Sequence, residues 1–170
     1  MSVIKEQWTF KRILKELFTT IVLIFIISQV INFIRQPEIK ENIYAYSLRD
    51  IDNKNINFLD YKDKPLIVYF WGLWCPVCKL ESSNIQSLSE EHTIVSIAVN
   101  SGTDQELSTY MKKQNLDYKV VNDRKGALAA KFDIDVYPTT LIYNAKGELK
   151  FTEVGYITTL GLKARLELIK

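Results

Sequence analysis

"YFWGLWCPVCKLE", Tyr69 to Glu81, holds both cysteines of a 170-residue chain. On its N-terminal side "KPLIVYFW" is a continuous apolar run, β-branched and aromatic, of the kind expected for a strand buried on both faces. On its C-terminal side, in "CPVCKLESSNIQSLSEE", Leu80, Ile85 and Leu88 recur at roughly helical spacing. Pro76 stands where a first-turn proline is tolerated. The segment therefore predicts a buried strand that runs into a helix at the cysteines.

Two cysteines separated by two residues can be half of a metal site, a haem attachment point or a redox pair. Structural zinc normally takes four ligands, and the chain adds only His92, at the edge of a predicted strand, which leaves room solely for a site shared between molecules. Haem attachment requires a histidine directly after the second cysteine, where Lys79 stands. A redox pair has a physical basis here. A strand that delivers Cys75 to a helix N-terminus exposes its sulfur to unpaired backbone N–H groups and the positive end of the helix dipole, which favour the thiolate. Cys78 lies one turn further in, in reach of a mixed disulfide formed at Cys75. Cys75 is assigned as the attacking nucleophile and Cys78 as the resolving thiol. No organic or metal cofactor is expected, because the pair carries both electrons.

Beyond this segment the pattern alternates. "AYSLRDIDNKNINFLDY" reads as a hairpin turning around Asp52–Asn55. "HTIVSIAVN" is a second buried strand, and "TDQELSTYMKKQN" opens with the capping box Thr103-x-x-Glu106 and reads as a helix. "YKVVND" is a third strand, "GALAAKFDI" a short helix and "PTTLIYN" a fourth strand. "ELKFTEV" follows a turn, and "TTLGLKARLELIK" closes as an amphipathic helix. The order implies an α/β domain with helices on both faces of a central sheet. Net charge is only +2 and 25% of residues are charged, so no basic field points to nucleic acid.

The first residues are different. Lys5, Lys11, Arg12 and Lys15 precede "LFTTIVLIFIISQVINFI", which runs from Leu17 to Ile34 without a charge. At about 1.5 Å per residue this reaches roughly 27 Å, just the hydrocarbon thickness of a bilayer. A cleaved signal peptide would want a small-x-small site that "INFIRQPE" does not offer, and a core helix would not need the basic flank. The expected organisation is a basic cytoplasmic segment over residues 1–16, a transmembrane anchor over 17–34, a tether over 35–43 and a folded domain over 44–170. The positive-inside rule then puts that domain outside, in an oxidising compartment such as a bacterial periplasm. A disulfide closing so small a loop stabilises little, which favours a pair that is used.

"FWGLWCPVC" resembles the thioredoxin active-site segment, and "VYPTTLIYNAKGE" resembles that family's second signature, a strand entered through a cis proline. The likeness covers about Tyr44 to Lys170. It implies a thioredoxin fold with an N-terminal β-hairpin extension and a cis Tyr137–Pro138 bond facing the cysteines. It also implies a groove for protein thiol or disulfide substrates, lined by Trp74, Pro76, Val77, Tyr137 and Pro138. The anchor and hairpin resemble the exported branch that includes the TlpA, ResA and cytochrome-c-maturation thioredoxins. "NSGTD", "VVNDRKGALAAKFDIDVYPT" and "GLKARL" are similar to the membrane-tethered suppressor-of-copper-sensitivity group. This implies work in copper tolerance or cytochrome c maturation, with an inner-membrane partner supplying electrons.

Three residues bear on the direction of electron flow. Val77 is apolar and cannot donate a hydrogen bond to a Cys75 thiolate, which tilts toward a reductase; its alternative role is to shape the docking surface. Glu81, one turn after Cys78, matches a glutamate of the ResA-type proteins. Partly buried, it would have a raised pKa and exchange protons with Cys78; the alternative is a solvated helix residue. Tyr69 departs from ordinary thioredoxin, which has a buried aspartate there, and a phenol is no base near neutral pH. Trp71 and Trp74 are expected to pack around the cysteines, and His92 and Lys79 to be ordinary surface residues. The rival readings are an oxidase recharged by a membrane partner and a copper-handling or chaperone-like binding module.

Overall fold

A computed structural model describes residues 10–34 and 43–169. The chain divides into two compact units between Gln36 and Pro37.

The first unit is helix α1, Phe10–Ile34. It covers the whole uncharged run and begins seven residues before it. Lys5 and residues 35–42 of the expected tether lie outside the described residues. Thr19 and Thr20 turn their hydroxyls back onto the Glu16 carbonyl, at 2.9 and 2.8 Å, so neither leaves a donor unused. Leu14, Leu17, Phe18, Ile21, Leu23 and Ile24 are all exposed. Among the described residues no helix is long and apolar enough to cross a membrane. The side chains of α1 are described from Arg12 to Ile27, Phe25 excepted, whereas the uncharged run continues in the sequence to Ile34.

The second unit opens with the expected hairpin, β1 (Ser47–Arg49) against β2 (Asn55–Asn57). The Asp50 carboxylate accepts the amides of Asp52 and Lys54, and Asn53 takes a positive φ of 67° that asparagine tolerates. The domain begins earlier than expected: Ile43, read as the last tether residue, is 1% exposed and packs in the core.

The central sheet is formed by β3 (Leu66–Trp71), β4 (Thr93–Val99), β5 (Lys119–Asp123), β6 (Thr139–Tyr143) and β7 (Leu149–Val154), in the order β5-β4-β3-β6-β7. β3, β4 and β5 are parallel, whereas β6 and β7 each run antiparallel to their inner neighbour. All six residues of β3 are buried, as its unbroken apolar sequence requires of a central strand covered on both sides.

The helices are α2 (Pro76–Ser89), α3 (Asp104–Lys113), α4 (Ala127–Lys131) and α5 (Thr159–Glu167). Ile67, Tyr69 and Trp71 pack on one face with residues of α2, α3 and α5. Leu66, Val68 and Phe70 pack on the other with Ile56 and Phe58 of the hairpin region and with Ala129 and Phe132. The Thr103–Glu106 capping box that starts α3 is present in both directions.

One expectation for α2 is corrected. Leu80 is 71% exposed and does not join Ile85 and Leu88 in the core. The buried face is Cys78, Glu81, Ser82, Ile85 and Leu88, at the 3–4 residue spacing of one helix stripe. A carboxylate takes the inward position next to which a leucine faces outward.

Candidate active site

The cysteines sit where β3 ends and α2 begins. Cys75 is the N-cap of α2, with extended backbone, and Pro76 opens the helix, where its missing N–H leaves nothing unpaired. The Cys78 amide points at Cys75 Sγ, 3.1 Å away. The two sulfurs are joined as a disulfide, with Cα atoms 5.3 Å apart. The amide donor and the helix dipole would stabilise negative charge on Cys75 Sγ after reduction.

The preceding loop is fixed from several sides. Leu73 donates its amide to Ser101 Oγ at 3.0 Å, and the Trp74 indole N–H donates to the Val99 carbonyl at 2.9 Å. Gly72 is required by close approach: a Cβ there would lie 2.6 Å from the Trp74 indole nitrogen. Trp74 is 53% exposed and meets the Tyr137 ring edge-on, with centroids 5.4 Å apart.

The Tyr137–Pro138 bond is cis. The Tyr137 carbonyl lies 3.9 Å from Cys75 Sγ, so this loop borders the Cys75 sulfur. Tyr137 is half-buried and Pro138 buried, whereas Trp74, Pro76 and Val77 are exposed. Cys75 is 4% exposed and Cys78 is fully covered. Cys75 is thus the sulfur of the pair nearer the surface, between the Trp74–Val77 rim and the cis loop, and Cys78 lies behind it.

Glu81 has no solvent exposure at all, which removes the solvated reading. Its Oε1 accepts the Ile157 amide at 2.9 Å, and its Oε2 has no partner among the described residues. Burial pushes the carboxyl up to about 7, against the opposing effects of the Ile157 amide and the Tyr69 phenol. The Tyr69 hydroxyl, fully buried, lies 3.3 Å from the Cys78 carbonyl and beside the Glu81 carboxyl, so its single proton serves one of these two acceptors at a time. Burial first, and then the Glu81 charge, drive its pKa further above the ordinary phenol value, so it stays protonated.

Trp71 is entirely in the core, where its ring stacks on Tyr69. Lys79 is exposed and His92 half-buried, in the turn before β4. Among the described residues no three His, Cys, Asp or Glu side chains gather as a metal site. The sequence reading missed Ile157, whose backbone amide holds Glu81 from the loop before α5. It also missed Ser82 and Tyr110, whose hydroxyls pair at 3.2 Å behind Cys78. A backbone donor leaves no mark in residue identity, but Ser82 follows Glu81 on the same buried stripe.

Residues 39–152 match the AhpC/TSA family. The chain is 33% identical over 159 residues to a thioredoxin-like protein of Haemophilus influenzae, covering 92% of this chain and 94% of that one. It is 31% identical over 126 residues to the sporulation thiol–disulfide oxidoreductase A of Bacillus subtilis, covering 70% and 76%. The crystal structure of StoA from Bacillus subtilis superposes with a TM-score of 0.64 at 28% identity, over 74% of this chain and 98% of that one. With its mixed sheet, its disulfide at the head of α2 and its cis-proline loop, this chain belongs to the AhpC/TSA family as a thioredoxin-like thiol–disulfide oxidoreductase whose redox pair is Cys75–Cys78.

Proposed function

We propose that this chain reduces disulfides of exported proteins at the outer face of a bacterial inner membrane, held there by residues 17–34 and re-reduced by a membrane electron-transfer partner. The observation that carries the reading is a fully buried Glu81, raised to about 7, one helical turn beyond the covered thiol Cys78. In the first step the Cys75 thiolate attacks a substrate sulfur, forming a mixed disulfide and releasing the other substrate sulfur as a thiolate. Cys78 then gives its proton to the Glu81 carboxylate and attacks Cys75 Sγ. The Cys75–Cys78 disulfide forms, and the second substrate sulfur leaves and takes up a proton. Two electrons have passed from the pair to the substrate. The partner restores the dithiol by the same exchange in reverse.

The direction is supported by Val77, 41% exposed beside the pair and without a donor for the Cys75 thiolate. The tether is supported by the uncharged run to Ile34, its basic N-terminal flank and the apolar side chains exposed along α1. Thiol trapping in intact cells tests the direction. A pair found mostly reduced is the expected result, and a pair found mostly oxidised would reverse the assignment in favour of an oxidase. Retention of the full-length protein in membranes washed with alkaline carbonate tests the anchor, and release into the wash would remove it.

A further inference from the structure

The face of the sheet beneath α2 carries a concentration of polar atoms of which the exchange steps above use only Glu81. Tyr69 is in register with Ser96 on one side and Thr140 on the other, so the three side chains point to the same face. Trp71, two residues along β3, shares that face, stacked on Tyr69 with centroids 6.4 Å apart and lying 5.6 Å from the Tyr110 ring. Tyr118 packs in the same core. On this face Trp71 Nε1, Glu81 Oε2, Ser96 Oγ, the Tyr118 hydroxyl and Thr140 Oγ1 are all buried without a hydrogen-bond partner among the described residues, the Tyr69 phenol lying beside the Glu81 carboxyl. None of these residues is more than 5% exposed.

A buried polar atom without a partner costs about 1–3 kcal/mol, and folded proteins satisfy such groups with ordered water. Five on one face, including both donors and acceptors, provide the two to four contacts that an internal water needs. The groups that act on or feel Glu81 are the Ile157 amide, Tyr69 from β3 and Tyr118, the residue before β5. Cys78 lies one turn earlier on its own helix, and Tyr110 from α3 acts on the two phenols. The Glu81 charge acts on both Tyr69 and Tyr118, and Tyr110 acts on both of those phenols, which places the groups within electrostatic reach of one another. Tyr118 also borders an open cleft of about 310 Å³ with Met111, Leu116 and Val120, so it stands between this interior and the surface.

We propose that Glu81 Oε2, Trp71 Nε1, Ser96, Thr140 and Tyr118 enclose ordered internal water, and that Tyr118 is a positioning residue which acts through this water on the proton held by Glu81. The water donates to Oε2 and stabilises the carboxylate, and the Tyr118 hydroxyl anchors it and links it to the cleft. The role assigned to Tyr118 in the reaction rests on the reading of Glu81 as the proton partner of Cys78.

The test follows the Glu81 side-chain carbon by NMR in the full-length protein in detergent micelles, across pH. Tyr118→Phe removes the anchor and keeps the ring. The expected result is a rise of about tenfold in the proton affinity of Glu81, the loss of one hydrogen bond to a charged group. Tyr143→Phe, which removes an equally buried and unpartnered hydroxyl from the opposite core, should leave Glu81 unmoved. An unchanged Glu81 midpoint in Tyr118→Phe would overturn the proposal, as would an equal shift in Tyr143→Phe. Should Tyr118→Phe not fold, the unaltered protein decides. Magnetisation transfer from a long-lived water to the Trp71 indole N–H is expected, and its absence overturns the proposal. The reading of Glu81 fails separately, if Glu81→Gln leaves the titration of Cys78 unmoved while that water is still seen.

Discussion

Glu81 and Ile157 are joined across 76 residues of sequence by a single 2.9 Å hydrogen bond, backbone amide to carboxylate. That bond ties the helix carrying the cysteines to the loop that begins α5, and it holds a fully buried acid one turn beyond Cys78. The neutral form of the acid is favoured by its burial, which is what the proton-carrying role proposed for it requires near neutral pH.

The same burial sets a pH dependence of stability. The folded pKa, about 7, lies above the ordinary 4.5, so between these values the native state binds more protons than the unfolded state. Stability is therefore fully present below about pH 4.5 and falls as pH rises through 7, by up to about 3 kcal/mol. Glu81→Gln should flatten this slope, with a stabilising effect of about 1–3 kcal/mol at pH 8 and little at pH 4. Urea unfolding at the two pH values measures it; equal effects at both would contradict the buried-acid account.

The different duties proposed for the two cysteines follow from their burial, Cys75 at the surface edge and Cys78 fully covered. Cys75→Ser should abolish insulin reduction. Cys78→Ser should attack substrate normally and accumulate mixed disulfides, visible on non-reducing gels. Turnover by Cys78→Ser at the normal rate would reverse the assignment.

Gly72 allows the Trp74 indole to lie against the chain and reach the Val99 carbonyl. Gly72→Ala should displace that indole, shift its fluorescence and destabilise the oxidised protein by about 1–3 kcal/mol, the cost of forcing an extra carbon into a packed site. Unchanged fluorescence and stability would mean that the loop adapts.

Leu80 and Ile85 test the register of α2. Leu80→Gln on the exposed side should change stability by less than about 0.5 kcal/mol. Ile85→Ala, in the core, should cost about 2–5 kcal/mol. A large loss for Leu80→Gln would restore the register that the apolar spacing alone suggests.

Much of this architecture was legible because each element had its own physical signature. The unbroken apolar run of β3, the alternation of strands and helices, and the Thr103–Glu106 cap are local features, and each appears as expected. The cis Tyr137–Pro138 bond followed from resemblance, since nothing in an X–Pro pair by itself chooses the cis form. The failures came where tertiary context overrode residue type. Leu80 looked like core and Glu81 was left between a partly buried proton partner and a solvated residue, but the helix stripe that continues from Cys78 turns the leucine out and puts the acid fully inside. Ile43, behind a polar tether, gave no sign that it begins the packed domain. The hydroxyls beneath α2 were hidden because Ser96 and Thr140 sit inside strands that read simply as apolar, and only the register brings them beside Tyr69.

The central claim is that Glu81 takes the proton of Cys78 when the mixed disulfide resolves. The most direct measurement is the rate of that single step, followed by stopped flow from pH 5 to 9 in the unaltered protein and in Glu81→Gln. The account predicts a rate that rises through about pH 7 in the unaltered protein as Glu81 ionises. In Glu81→Gln the step should be slower by roughly 10² at neutral pH, with its rise displaced toward the ordinary thiol range. Superimposable profiles for the two proteins would contradict it.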